Sequence, residues 1–526
     1  MSTKKALPAT PVRRRVLTGE LMVADTTLED FLAQASTRSV TPVLRRLFVD
    51  SETPMGLYRK LGNTLGSFLL ESADQAGKWS RYSFLGVSVH GILSEAEGVA
   101  RWRDCGMGEE EAFGGEAPTE PLEALRALNA HWLSDPVPGM PPFPGGLVGH
   151  IGWDMVRHLE KLPDGPPSTH DVPPMFLSLV KDFVAIDHHT SEVVLVALVH
   201  RQDGAREADF SEALARLDAL HHTLAQPTPS TLHRRHEPSD LAPAPSIEKS
   251  VFLDMVERAK GHIRDGDVFQ VVVSQAFHQE VTASALEVYR VLRQLNPSPY
   301  MYLLECETSS GVPYQVVGSS PEALVTITGD RVVSHPIAGS RPRGVTPGED
   351  SAHAESLLGD QKEKSEHLML VDLARNDLSK VSQAGSVDVT EFMHVERFSH
   401  IMHLVSTVEG LLSPDVTSVE VFEATFPAGT LSGAPKPRAL EIIDDLEPVQ
   451  RGVYGGVVGY FGHSGDADLA ITIRTLFMSE GHAIVQAGAG IVAESHPESE
   501  YAETIHKASA PIRAIRVANA LSSGTA

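Results

Sequence analysis

The arrangement of strand-like and helix-like segments predicts an α+β fold with largely antiparallel sheets. Three observations carry this. Strand and helix signals come in blocks rather than in the regular β-α-β alternation of a parallel sheet. The run Glu192-Val-Val-Leu-Val-Ala-Leu-Val199 is uninterrupted and β-branched, as a buried strand requires. Ile247 to Asp265 places Val251, Met255, Ala259 and Ile263 on one helical stripe, and Val268-Phe-Gln-Val-Val-Val273 then opens a series of hairpin-like pieces.

The elements follow in order. Residues 1–25 are basic but lack an apolar core before a cleavage site, so they read as a mobile tail rather than a signal peptide. Thr27 is placed to cap a helix that starts at Leu28. Ser67-Phe-Leu-Leu-Glu71 and Arg81-Tyr-Ser-Phe-Leu-Gly86 read as short strands, and the Pro- and Gly-rich stretches 136–146 and 163–174 as loops. Residues 226–246, dense in Pro and without hydrophobic period, read as a linker or ordered surface loop. They would separate a module at 26–225 from one at 247–516, with a tail at 517–526; a chain of 526 residues exceeds one small core.

Composition narrows the function. With 42% hydrophobic and 21% charged residues, the chain is an ordinary globular protein. A formal net charge of −25 argues against a nucleic-acid-binding face. It also means that an anionic substrate needs a metal or a local Arg against the general repulsion. Cys105 and Cys306 offer neither a disulfide framework nor metal-ligand spacing, which points to a reducing cytoplasm. No apolar run is long enough for a membrane span.

The segment from Ala487-Gly-Ala-Gly490 to Glu503 reads as a small-residue turn leading past Pro497 into a helix that carries Glu500 and Glu503. Glu363 and Glu366 repeat that spacing. Carboxylates three apart share a helix face and repel. Alone, such pairs are usually a solvated face; two of them suggest a hard-cation site such as Mg²⁺. Gly488-Ala-Gly490 lacks the third glycine and the β-α-β context of a dinucleotide fingerprint. Its glycines suit close backbone approach to an anion. Gly429-Thr-Leu-Ser-Gly433 has its serine at the wrong offset for a nucleophile elbow, so Thr430 and Ser432 read as hydroxyl donors to a ligand.

Taken together, the C-terminal motifs resemble those of the chorismate-utilising enzymes, most closely anthranilate synthase component I. The segments are Gly318-Ser-Ser-Pro-Glu322, Pro336-Ile-Ala-Gly-Ser-Arg-Pro-Arg-Gly344 and Ser365-Glu-His-Leu-Met-Leu-Val-Asp-Leu-Ala-Arg-Asn-Asp377. Ser399-His-Ile-Met-His-Leu-Val-Ser406, Pro427-Ala-Gly-Thr-Leu-Ser-Gly-Ala-Pro-Lys436, Tyr454-Gly-Gly-Val-Val-Gly459 and Ile473-Arg-Thr475 continue the series. The resemblance implies a sandwich of antiparallel sheets with flanking helices, an N-terminal regulatory module and a chorismate-binding catalytic module. It also implies Mg²⁺ held by Glu366 and Glu503, with Glu363 and Glu500 bridging or just behind. Arg474 and Tyr454 would hold the enolpyruvyl carboxylate. Gly339, Ser340, Gly488, Ala489, Gly490 and Gln270 would line the substrate. Ser340 stands where the family usually has Thr, which keeps the hydroxyl. Glu322 would act as the acid at C4 and His403 as the base at C2, with Thr430 adding a hydroxyl. His400 reads as a core or surface residue.

Two positions select the reaction within that resemblance. Water-adding relatives carry a lysine base where Gln270 stands, and a neutral amide cannot deprotonate water. Aminodeoxychorismate relatives carry a lysine where Ala338 stands, and alanine cannot form that covalent bond. Both point to ammonia and to anthranilate plus pyruvate. The alternatives are an aminating relative that stops before pyruvate loss, an aminodeoxychorismate synthase-like enzyme, or a non-catalytic ligand-sensing paralogue. Neither cysteine lies in a glutaminase-like turn, so a separate glutamine amidotransferase subunit, hence a hetero-oligomer, is expected. Leu69-Leu-Glu-Ser72 and Asn296-Pro-Ser-Pro-Tyr-Met301 resemble the segments that bind L-tryptophan as inhibitor, through Ser72, Pro299, Tyr300 and Met301.

Overall fold

Alternation along single strands builds the molecule. In the strand Tyr300–Glu307, Tyr302, Leu304 and Cys306 face one hydrophobic core while Met301 and Leu303 face another. Side chains a residue apart point to opposite faces, so one apolar strand closes two layers. The computed structural model describes residues 25–49, 51–73, 81–228, 233–235, 244–397 and 401–523. Among them, 20 strands form one continuous sheet in which the pairings are antiparallel.

Two long strands, Tyr82–Ala96 and Met175–Asp187, pair with each other and bend where their register shifts between Gly86 and Gly91. Such irregular corners let one strand serve two layers. From one end the sheet runs through Phe68–Glu71, Tyr300–Glu307, Pro313–Ser320, Thr475–Ser479, His482–Ile491 and Gln270–Glu280. From the other it runs through Gly146–Ile151, Val457–Gly462, Ala467–Ile471, Ala323–Thr328, Arg331–Ser334 and Ile401–Leu411. Val271, Val273 and Tyr302 from the first wing and Leu147, Val457 and Ile471 from the second share the larger core. This is the expected α+β sandwich. The helices Ala285–Leu295 and Pro497–Asn519 cover the outer face of the first wing, and Glu207–Leu224 packs on Glu192–His200 in the same core.

Thr27 does cap the helix Leu28–Ala35, accepting from the Asp30 amide. The strands expected at 67–71, 81–86 and 192–199 match Phe68–Glu71, Tyr82–Ala96 and Glu192–His200, the first two starting one residue later than expected. Three readings are revised. In the helix Lys249–Asp265 the buried stripe is Phe252, Met255, Val256 and Ala259, and Val251 is 45% exposed. The larger Phe252 turns the helix toward itself, which a stripe drawn on spacing alone missed. Ala487 to Gly490 is no turn but part of the strand His482–Ile491. The helix Pro497–Asn519 runs past residue 516, and Leu521–Ser523 pairs with His233–Arg235 from the Pro-rich stretch. The sheet also crosses the 226–246 stretch twice, through Phe68–Glu71 on Tyr300–Glu307 and Gly146–Ile151 on Val457–Gly462. The tail at residues 1–24 and His400 lie outside the described residues.

Candidate active site

Two helices bring in the carboxylates. Asp360 caps Gln361–Ser379, accepting from the amides of Lys362 and Glu363, so Glu363 and Glu366 sit in its first turns. Pro497 occupies the first turn of Pro497–Asn519, where its missing N–H costs nothing, and Glu500 and Glu503 follow. Burial raises the Glu366 pKa, and the charges of Glu363 and Glu503 raise it further. Glu500 is raised by burial too, and by Glu503. The two helices therefore face each other with like charge. Local cations answer part of it: Lys507 Nζ lies 2.7 Å from Glu503 Oε1, and Arg341 Nη1 lies 3.3 Å from Glu363 Oε1. Among the described residues, no three His, Cys, Asp or Glu side chains form a ready-made metal cage.

Glu322 and His403 stand on the sheet. In Ile401–Leu411, Met402 and Leu404 pack with Ala354 and Leu357, which turns His403 to the opposite face. Ser340 lies opposite it across a bulge at Gly339. Gly339 has φ +63°, and a Cβ there would meet Glu363 Oε2 at 2.8 Å, so glycine is required twice over. His403 Nδ1 donates to the Gly339 carbonyl at 2.9 Å. A carbonyl only accepts, so in the neutral ring Nε2 carries the lone pair. Burial pulls the His403 pKa down to about 4, with the charges of Arg474 and Lys507 adding to it. Glu322 follows the break at Pro321 and receives the Thr430 hydroxyl at 3.2 Å. Burial pushes its pKa up to about 7 against the opposing pull of Thr430, Lys507 and Arg474.

The remaining groups close a cradle around these two. Arg474 is a non-glycine residue at φ +52°, held between the strands Ala467–Ile471 and Thr475–Ser479; such an outlier marks a position fixed by its surroundings. Its pKa is lowered by burial, with Glu322 the opposing charge. The Tyr454 hydroxyl is hydrogen-bonded by the Gly488 amide, and a Cβ on Gly488 would lie 2.8 Å from that oxygen. A Cβ on Gly490 would lie 2.5 Å from Gln270 Nε2. Gln270 is buried, its Nε2 is 3.5 Å from Glu366 Oε1, and its Oε1 has no hydrogen-bond partner among the described residues. The amide orientation follows from charge, because the NH₂ must face the carboxylate.

These motifs have known counterparts. A family model described as chorismate binding enzyme matches residues 92–513. The chain belongs to the chorismate-binding enzymes. It is 50% identical over 502 residues to anthranilate synthase component 1 of Arthrobacter globiformis, across 94% of this chain and 93% of that relative. The component 1 of Mycolicibacterium smegmatis is 45% identical, across 96% of each chain. Among solved structures, the anthranilate synthase component I from Streptococcus pneumoniae TIGR4 superposes with a TM-score of 0.71 at 37% identity, over 82% of this chain and 92% of that one. The menaquinone-specific isochorismate synthase from Escherichia coli shares the fold, with a TM-score of 0.65 at 18% identity over 93% and 98% of the two chains.

The sequence reading passed over several residues that this chorismate-binding enzyme uses to build its site. Lys507 reaches Glu503 and also donates to the Gly488 carbonyl at 3.0 Å; its position four residues after Glu503 is the signal that could have found it. Lys436, largely but not fully covered, pairs with Asp377 at 2.7 Å and ties the Thr430 segment to the helix Gln361–Ser379. The suspected inhibitor segments do come together. The Ala73 amide donates to Ser298 O at 3.0 Å, Met301 lies opposite Glu71, and the Ser72 hydroxyl is buried without a partner among the described residues. Among the described residues no helix is long and apolar enough to cross a membrane.

Proposed function

We propose that the protein converts chorismate and ammonia to anthranilate, pyruvate and water. The observation that carries the reading is the pair of opposed pKa displacements in one cradle: Glu322 up to about 7 and His403 down to about 4. A carboxyl held protonated near neutral pH is an acid, and an imidazole held neutral is a base. Arg474 and Tyr454 fit the enolpyruvyl carboxylate, and Gly339, Ser340 and Gly488 to Gly490 leave room for the ring. Glu322 gives its proton to the departing C4 hydroxyl as ammonia enters at C2. The orphaned Gln270 Oε1 offers an acceptor to an ammonia N–H. His403 Nε2 then takes the C2 proton, the C3–oxygen bond breaks, and pyruvate leaves as the ring becomes aromatic.

Glu366 and Glu503, with Glu363 and Glu500 beside them, would hold Mg²⁺, a hard cation suited to carboxylate oxygens. When bound, the ion neutralises the ring carboxylate of the substrate. Cys105 is exposed and Cys306 is buried, with burial raising both thiol pKa values. Neither is an activated nucleophile, which supports a partner glutaminase as ammonia source and a cytoplasmic hetero-oligomer. L-Tryptophan is proposed as a feedback inhibitor at Ser72, Pro299, Tyr300 and Met301. The test is chorismate, Mg²⁺ and ammonium salt, read by anthranilate fluorescence and a pyruvate assay. Anthranilate and pyruvate in equal amounts support the reading. An aminated product without pyruvate replaces it with the shorter reaction, and no turnover refutes it.

A further inference from the structure

Behind the cradle lies a buried ion pair that this chemistry does not use. Arg451 and Glu447 are each 4% exposed, with Nη2 at 2.6 Å from Oε1 and Nε at 2.9 Å from Oε2. The same guanidinium donates from Nη1 to Leu431 O and from Nη2 to Val272 O, both at 2.8 Å. Its carbon lies 4.1 Å above the Trp153 ring and 5.7 Å from the Tyr454 ring centre. The Tyr454 amide donates to Arg451 O at 3.2 Å. Glu447 Oε1 in turn accepts from the Ser274 amide and hydroxyl, both at 2.8 Å, and the Ser274 oxygen accepts from Gln486 Nε2 at 2.8 Å.

The destinations share one property. Leu431 follows Thr430, Val272 and Ser274 follow Gln270 on its strand, and Gln486 precedes Gly488 on its own. Apart from the packing on Trp153, each contact therefore ends on a segment that carries part of the cradle. None ends on the helices Gln361–Ser379 or Pro497–Asn519, which carry the four carboxylates. Two desolvated charges are a poor source of stability, because the desolvation cost offsets most of the attraction. A planar guanidinium, however, meets several acceptors in fixed directions, which an ammonium cannot do.

We propose that the Arg451–Glu447 pair is a positioning device that locks Thr430, Gln270, Tyr454 and the Gly488–Gly490 strand into one unit, making none of its own bonds to the carboxylate helices and dispensable for folding. It rests on the proposed assignment of that cradle to chorismate. Two variants test it. Arg451→Lys keeps the charge and loses the fork. The double variant Arg451→Met with Glu447→Gln removes both charges yet leaves an acceptor for Ser274. Both should melt cooperatively, and kcat/KM for chorismate should fall roughly 10²-fold, the cost of small misplacements of reacting groups. The half-saturating Mg²⁺ concentration should stay at the wild-type value, and the emission of Trp153 should shift. Wild-type kcat/KM in either folded variant overturns the proposal, as does a Mg²⁺ requirement that rises in step with the chorismate KM. Failure of both variants to fold makes the pair a determinant of the fold and equally overturns it. A wild-type protein that makes no anthranilate refutes instead the reading on which the inference rests.

Discussion

Glu322 must carry a proton to act as acid, and His403 must lack one on Nε2 to act as base. Burial sets both, and it sets them in opposite directions because it penalises whichever form is charged. With His403 at about 4 and Glu322 at about 7, kcat/KM should rise through about pH 4, hold a plateau, and fall as Glu322 ionises through about pH 7. Glu322→Gln should lose the alkaline limb, along with about 10²–10⁴ in kcat. A pH–rate profile of the variant that keeps the wild-type alkaline limb assigns that limb to another group. These two residues were legible in the sequence only through their motifs, since a lone Glu after a Pro and a lone His on a strand are common. What the sequence could not give is their surroundings. The Gly339 carbonyl that fixes the imidazole tautomer arrives across a strand pairing, from 64 residues away. Arg451 was invisible for the same reason, its carbonyl acceptors Leu431 and Val272 lying 20 and 179 residues away.

Among the elements, the carboxylate helices were the most legible, because a three-residue spacing on a capped helix fixes which side chains share a face. Their mutual approach was not, and it adds the charge of Glu503 to the burial and the Glu363 charge that raise Glu366. A cation that relieves this repulsion binds the folded state and not the unfolded one. Mg²⁺ should therefore raise the melting temperature, by about 2.7 kcal/mol of stability at a hundredfold excess over Kd. Glu366→Gln should reduce both the Mg²⁺-induced shift and the activity, and an equal Mg²⁺ shift in the variant removes Glu366 from the site. The Gly488–Gly490 strand shows the opposite case. Small residues suggested a turn, but the segment pairs with Gln270–Glu280 over its whole length, and its glycines exist to admit Tyr454 and Gln270. Gly490→Ala should push Gln270 from its place and raise the KM for ammonia more than that for chorismate. Steady-state kinetics with each substrate varied in turn will show whether the two constants separate.

At the scale of the whole molecule, the sheet ignores the boundary that the Pro-rich stretch suggested, because alternation along a strand says which face is buried but not which strand pairs beside it. The consequence is a continuous bonded path from the proposed inhibitor segments to the cradle. Tyr300, in the suspected tryptophan site, lies opposite Ser320, two residues before Glu322. Ser319 donates its amide to the Arg474 carbonyl at 3.3 Å. The Tyr300 hydroxyl bonds to Asp468, whose strand ends at Ile471, and the Ile471 amide donates to Glu322 O at 3.0 Å. A ligand seated between Ser72 and Tyr300 would therefore press on the segments that hold Glu322 and Arg474. Coupling of this kind is reciprocal, so tryptophan that weakens chorismate binding must itself be weakened by chorismate to the same degree. Saturating tryptophan should weaken chorismate binding measured by calorimetry without ammonia, and saturating chorismate should weaken tryptophan binding by the same factor. Ser72→Arg should fill the pocket, leaving an enzyme that makes anthranilate at the wild-type rate and does not respond to tryptophan. Undiminished inhibition of that variant moves the inhibitor elsewhere. A loss of tryptophan binding that grows with chorismate concentration and reaches no limiting factor means instead that tryptophan competes at the catalytic cradle.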